Sequence, residues 1–173
     1  MDNIAKYLVY IPLPTEIKEK ICELRMQEGI NGDLDFPHCT LFMTKAKKHN
    51  EKRIVRAIMP ITRKNFIFQA RLEEICKFDR NTVIKLKRDG EIIDVHNQIL
   101  NALNPYSLMQ SQYFGDNYNP HITIGEIPAQ ESLEIPKTIK FPKEFQVSSF
   151  FLARKDNNAD KYKTVREFPF LTP

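Results

Sequence analysis

Cysteine is scarce and poorly placed for chemistry: Cys22, Cys39 and Cys76 are odd in number, far apart, and form no Cys-x-x-Cys. That excludes a disulfide framework and a finger-type zinc site, and it suits a reducing, cytosol-like compartment. Long apolar runs are missing as well. No stretch approaches the roughly 18 apolar residues of a membrane span. The opening "MDNIAKYLVYIPLP" is acidic at its second residue and too briefly apolar for a signal peptide. No carboxylate-rich cluster argues for a metal ion, so neither metal nor cofactor is expected. No heptads are present to argue for more than a monomer. Histidine is the last scarcity, with four in 173 residues.

What is present fits a globular chain. Hydrophobic residues make up 42% and charged residues of both signs 28%, enough for a real core and too mixed for a disordered polyelectrolyte. The length suits one domain over residues 1–173, in two lobes. A net charge of +4 with a pI near 8.9 favours an anionic ligand such as a phosphate ester. It falls short of the basic stripe needed to grip long duplex nucleic acid.

The chain alternates strand and helix patterns. "KYLVYIPLP" (6–14) reads as a strand. "TEIKEKICELRMQE" (15–28) reads as a helix with Thr15 as N-cap and Ile17, Ile21 and Leu24 on one face. "PHCTLFMT" (37–44) is a short strand and "NEKRIVRAIMP" (50–60) a helix. Residues 65–78 and 82–88 read as strands joined by the turn "DRN", and 91–103 as a helix capped by Asp89. "SLMQSQYFGDNYN" (107–119) is an aromatic loop, "PHITIGEI" (120–127) a strand and 128–142 a proline-punctuated connector. A closing hairpin pairs 144–154 with 162–170. The order strand, helix, turn, Pro-His-x-Thr occurs in each half. The expected fold is therefore α+β, with two similar lobes.

Residues i and i+2 of a strand share a face. His38 and Thr40 therefore project together while Cys39 and Leu41 point inward, and His121 and Thr123 project opposite Ile122 and Ile124. Chance alone supplies about a third of one His-x-Ser/Thr match in this composition. Two matches, each opened by proline and followed by an apolar run, argue for function over a pair of satisfied strand histidines. If the lobes meet along these faces, two imidazoles and two hydroxyls converge. That set suits phosphodiester chemistry. A neutral imidazole takes a proton, a protonated one gives a proton to the departing oxygen, and the hydroxyls donate to non-bridging oxygens.

"PHCTLF" and "YNPHITIG", some eighty residues apart, resemble the paired H-x-T/S signature of the 2H phosphoesterase superfamily, which includes LigT-like 2′-5′ RNA ligases and 2′,3′-cyclic phosphodiesterases. The opening "YLVYIPLPTEIKEKI" resembles its first strand and helix, and "FFLARKDNNADKYKTVREFPF" its last hairpin. The resemblance implies His38 and His121 as catalytic histidines, Thr40 and Thr123 as their hydroxyl partners, and two antiparallel sheets with helices outside and a groove between. One departure stands out: the RNA cyclic phosphodiesterase branch tends to continue "LKFLGE" after its first motif, where this chain has "LFMTKAKK".

Other residues carry two readings each. Tyr113, Phe114 and Tyr118 either offer rings for a base to stack on or anchor the loop to the core. Arg154 and Lys45 either pair with a second phosphate or stand solvated. His49 and His96 lack an x-Thr partner and read as structural or surface residues. The function expected is a metal-independent phosphodiesterase acting on an RNA end or small nucleotide. The substrate is left open among a 2′,3′-cyclic phosphate, a 2′-5′ linkage and a cyclic oligonucleotide. The alternative is a nucleotide- or RNA-binding module using the same groove.

Overall fold

The computed structural model describes residues 3–30, 36–79, 81–109, 115–126, 139–157 and 159–173. Among the described residues eight strands form one sheet, antiparallel at every pairing between them: β1 (Ile4–Pro12), β2 (His38–Lys47), β3 (Phe68–Phe78), β4 (Asn81–Leu86), β5 (His121–Glu126), β6 (Glu144–Val147), β7 (Ser149–Asp156) and β8 (Lys163–Pro169). Their spatial order is β6-β3-β4-β5-β2-β1-β7-β8. Where the sequence suggests a sheet for each half, the two sets of strands join through the single pair Cys39↔Ile122 of β2 and β5. Outward from that pair, β1 flanks β2 as β4 flanks β5.

Three helices, α1 (Thr15–Gln27), α2 (Glu51–Thr62) and α3 (Gly90–Leu103), share one core with one face of the sheet. On α1, Ile17, Ile21 and Leu24 recur at helical spacing and are buried. They pack with Val9, Ile11, Cys39 and Leu41 of the sheet, Ile54 and Ile58 of α2, and Val95 and Ile99 of α3. Phe42, 1% exposed, lies in this cluster; truncating it to alanine would cost about 3–5 kcal/mol.

The ends of α1 depart from expectation at one side only. Pro14, not Thr15, occupies the N-cap position, with no side-chain capping bond. At the other end Gly29 takes φ 59° and lets the Ile30 N–H reach the Arg25 carbonyl at 3.0 Å, which closes the last turn. Asp89 does hold the N-cap position of α3, also without a side-chain bond.

The expected strand 144–154 divides at Ser148. β6 pairs with β3 at one edge, while β7 lies between β1 and β8. The inward positions shift from Phe145 and Val147 to Phe150 and Leu152, so the alternation breaks at the Ser148–Ser149 pair where the chain changes pairing partner. Among the described residues no helix is long and apolar enough to cross a membrane. Cys22, Cys39 and Cys76 are free thiols.

Candidate active site

The geometry starts from the register of the central pair. Cys39 sits opposite Ile122 on antiparallel strands, and both are fully buried on the helix side. Their neighbours in sequence therefore emerge together on the other face. His38 falls across from Thr123, and Thr40 falls across from His121. The four side chains named by the two motifs form one quartet, each partly exposed. Neither threonine hydroxyl has a hydrogen-bond partner among the described residues.

Both imidazoles are fixed in the same way. His38 Nδ1 lies 3.0 Å from the Phe36 carbonyl and His121 Nδ1 lies 2.8 Å from the Asn119 carbonyl. A carbonyl only accepts, so each Nδ1 carries the proton, and each neutral ring keeps Nε2 as its basic atom. Rings hold the orientation: Tyr10 and Phe36 stand 5.3 and 5.0 Å from His38, and Phe78 stands 5.1 Å from His121. Burial lowers the His38 pKa below its usual 6.5; the bond to Phe36 opposes this, and the nearby His121 adds to it. Cys39, on the reverse face, is pushed up to about 12 by burial and stays an inert thiol.

Each motif is followed by a β-bulge. Tyr10 pairs with Thr40 but Val9 with Phe42, so Leu41 is the extra residue; Val83 pairs with Thr123 but Thr82 with Gly125, so Ile124 is extra. The bulge carbonyls are met by side chains from the helix layer. His96 of α3 donates from Nδ1 to the Leu41 carbonyl at 2.7 Å, and Arg25 of α1 donates from Nε to the Ile124 carbonyl at 2.6 Å. Each helix thus braces the motif strand of the opposite half of the chain. His96 also accepts from the Gly115 N–H at 3.1 Å through Nε2 and stacks on Tyr118, with centroids 3.8 Å apart.

That stack corrects one expectation. Tyr118 is 5% exposed, and its hydroxyl donates to the Thr40 carbonyl at 2.8 Å. It anchors the first motif from beneath and offers no face to a base. Tyr113 and Phe114 lie outside the described residues. Arg154 is corrected too: it pairs in register with Tyr7 on the helix side of the sheet. There it binds Glu51 at 2.7 Å and Asp156 at 3.1 Å, with the sheet between it and the quartet. Lys45 shares the quartet's face, since the bulge at Leu41 resets the alternation to Met43 and Lys45. It stands seven residues from His38, about 20 Å along the strand, too far to touch the same phosphate.

The aromatic wall comes from residues the motifs do not announce. Tyr10 stacks on Phe151 at 5.6 Å and packs on Phe36 at 5.1 Å. These rings form a small second cluster with Leu8, Ala153 and Tyr162 on the quartet's side. The signal lay in the alternation of "YLVYIP" and "FFLAR", which gives β1 and β7 apolar residues on both faces.

Among the described residues, no group of three or more His, Cys, Asp or Glu side chains is arranged to hold a metal ion. An antiparallel α+β sheet with two His-x-Thr strands side by side at its centre defines a class of phosphoesterase-like folds. The family model of the 2′-5′ RNA ligase superfamily matches residues 13–159, and the chain belongs to that superfamily of 2H phosphoesterases. No curated protein matches the sequence. Solved structures match the fold at low identity. One titled a phosphoesterase is 22% identical with a TM-score of 0.75, covering 98% of this chain and 99% of that one. E. coli LigT complexed with 3′-AMP is 21% identical with a TM-score of 0.74, covering 98% and 99%. The MHV ns2 PDE domain is 14% identical with a TM-score of 0.64, covering 87% and 99%.

Proposed function

We propose that residues 1–173 form one two-lobed domain that hydrolyses a phosphodiester at an RNA end or in a small nucleotide, with a 2′,3′-cyclic phosphate as the leading substrate. The phosphate sits in a groove over the β2–β5 pair, and no metal is needed. The observation that carries this reading is the Cys39↔Ile122 register, which brings His38, Thr40, His121 and Thr123 to one face. Family membership and the 3′-AMP complex of E. coli LigT support a nucleotide at that position. The free cysteines fit a reducing, cytoplasmic compartment, and a monomer is proposed with them.

The quartet supplies every proton transfer. His38, held neutral by burial, takes a proton on Nε2 from a water molecule. That water forms a new bond to phosphorus. The bond from phosphorus to one ribose oxygen breaks, and His121, protonated at Nε2, gives that oxygen its proton. Thr40 and Thr123 donate to the non-bridging oxygens as charge grows on them. The product is a phosphomonoester beside a free ribose hydroxyl. In reverse, the same proton path would close the ring or join an end.

The test is product analysis in EDTA with nucleoside 2′,3′-cyclic phosphates, 2′-5′ and 3′-5′ dinucleotides and cyclic dinucleotides, comparing wild type with His38→Ala and His121→Ala. Cleavage by wild type, reduced at least about a hundredfold in each variant, is expected. Undiminished activity in either variant would sink the two-histidine mechanism. Tight nucleotide binding without turnover would make the chain a binding module.

A further inference from the structure

The quartet's face continues along β1, β2 and β7 to a second, strongly charged place. Register puts Lys6 of β1 directly between Lys45 of β2 and Lys155 of β7. Directly opposed residues on neighbouring strands have Cβ atoms about 5 Å apart, and like charges there destabilise a sheet. Lys47 follows two residues beyond Lys45, on the same face. Lys6, Lys45 and Lys47 are exposed. Lys155 donates to the Asp160 carbonyl at 2.7 Å and stands 6.0 Å from the Tyr162 ring centroid. No carboxylate pairs with any of the four among the described residues.

Between this row and the quartet on β2 stands Met43, apolar and 40% exposed. Leu108, 53% exposed, lies beside Lys45. The Leu108 N–H bonds the Lys45 carbonyl at 2.8 Å, which ties its segment to this part of β2. Tyr162 reaches Met43, its hydroxyl 3.8 Å from the sulfur. Imidazoles, then rings and an exposed apolar side chain, then ammonium groups without a carboxylate partner among the described residues follow one another along one face. Bases and phosphates of a single strand need that alternation of surfaces.

We propose that Lys6, Lys45 and Lys155, with Lys47 beside them, form a phosphate-binding subsite for single-stranded RNA whose reacting end lies at His38 and His121. The inference rests on the phosphodiester reading of the quartet for what occupies that end. Along β1, Lys6 is about 13 Å from Tyr10, which pairs with Thr40, and about 20 Å from Pro12, which pairs with His38. That spans roughly two to six nucleotides of a strand whose stacked rise is about 3.4 Å and which extends to about twice that. The chain is thereby built for oligonucleotides over free mononucleotides.

Two arms test it. The first measures kcat/KM on RNA ending in a 2′,3′-cyclic phosphate, in a series from mononucleotide to octanucleotide. The second measures binding of the 3′-phosphate oligonucleotides by fluorescence anisotropy as salt is varied, which needs no turnover. Wild type, a Lys6→Gln/Lys45→Gln variant and a Lys64→Gln control carrying a charge change elsewhere are compared. Wild type should favour longer RNA. The double variant should lose most of that advantage, bind the octanucleotide about tenfold more weakly at low salt, and show a log–log salt slope shallower by about 1.4. Its melting temperature should hold or rise, because like charges have been separated. Equal binding by wild type and double variant, or no length dependence in wild type, would overturn the subsite. Failure of all turnover with the binding pattern intact would instead reject the hydrolytic reading and leave the subsite standing.

Discussion

Tyr118→Phe tests the bracing of the first motif, because it removes one hydroxyl and leaves the ring. The ring keeps its stack on His96, so packing is conserved. The Thr40 carbonyl loses its 2.8 Å donor at a place with little access to water. Burial holds the Tyr118 pKa well above its usual 10, so the hydroxyl remains a donor throughout the working range. Left with only the weak Cys39 thiol 3.9 Å away, that buried carbonyl should cost about 1–3 kcal/mol. Taking ~2 kcal/mol, and 2–4 °C per kcal/mol for a chain of this size, the melting temperature should drop by about 4–8 °C. The urea midpoint should fall with an unchanged m-value. Because that carbonyl belongs to the residue whose hydroxyl the proposed mechanism aims at the phosphate, kcat should fall as well, with KM moving less. A melting temperature within about 1 °C of wild type, together with an unaltered kcat, would show that neither the bond nor the bulge positions Thr40.

Arg25→Met removes the equivalent brace from the Ile124 carbonyl and should cost about 1–3 kcal/mol in urea denaturation. Combined with Tyr118→Phe, the losses should add to within about 0.5 kcal/mol, since the two serve different strands. Acid should weaken the fold through His96 and His38, whose pKa values burial lowers below 6.5. In the unfolded chain these rings protonate near 6.5 and in the folded chain only at lower pH, so the unfolded state binds more protons in between. Their stabilisation is full above about pH 6.5 and is lost as pH falls towards the folded values. Urea midpoints measured from pH 7.5 to 5 should decline accordingly, and His38→Gln should flatten part of that decline. Arg154→Ala should cost no more than about 1 kcal/mol and leave turnover in place. A collapse of kcat/KM with stability intact would return Arg154 to the site.

What could be read in advance was whatever depended on local alternation. His38 and Thr40 were bound to share a face if 37–44 was a strand, and the repeated Pro-His-x-Thr marked both central strands before any pairing was known. What escaped was decided by distant partners. Tyr118 sits among other loop aromatics, and nothing in "YFGDNYN" distinguishes a ring turned outward from one turned in. It turns in, where its ring stacks on His96 and its hydroxyl donates to the Thr40 carbonyl beside the bulge. Arg154 looked available because arginines usually are; its side is fixed by pairing with Tyr7, and Glu51 arrives from a helix a hundred residues earlier in the chain. At Ser148 the alternation slips by one residue, from Phe145 and Val147 to Phe150 and Leu152, but only the partners β3 and β1 decide that the slip is a change of place in the sheet.

The bulges join the legible part to the hidden part. A strand that alternated strictly from His38 onward would put Phe42 on the solvent side and Met43 in the core. The extra residue Leu41 lets Leu41 and Phe42 both enter the core and returns Met43 and Lys45 to the quartet's face. Two consecutive large apolar residues after the threonine are the sequence trace of that step. Deleting Leu41 would therefore do more than shorten a strand. It would remove the bulge, leave Phe42 inward and Met43, Lys45 and Lys47 on the quartet's face in a regular ladder, and take away the Leu41 carbonyl that His96 binds. Chemistry at one end of β2 and charge at the other share a surface because the bulge takes Leu41 out of the ladder's alternation.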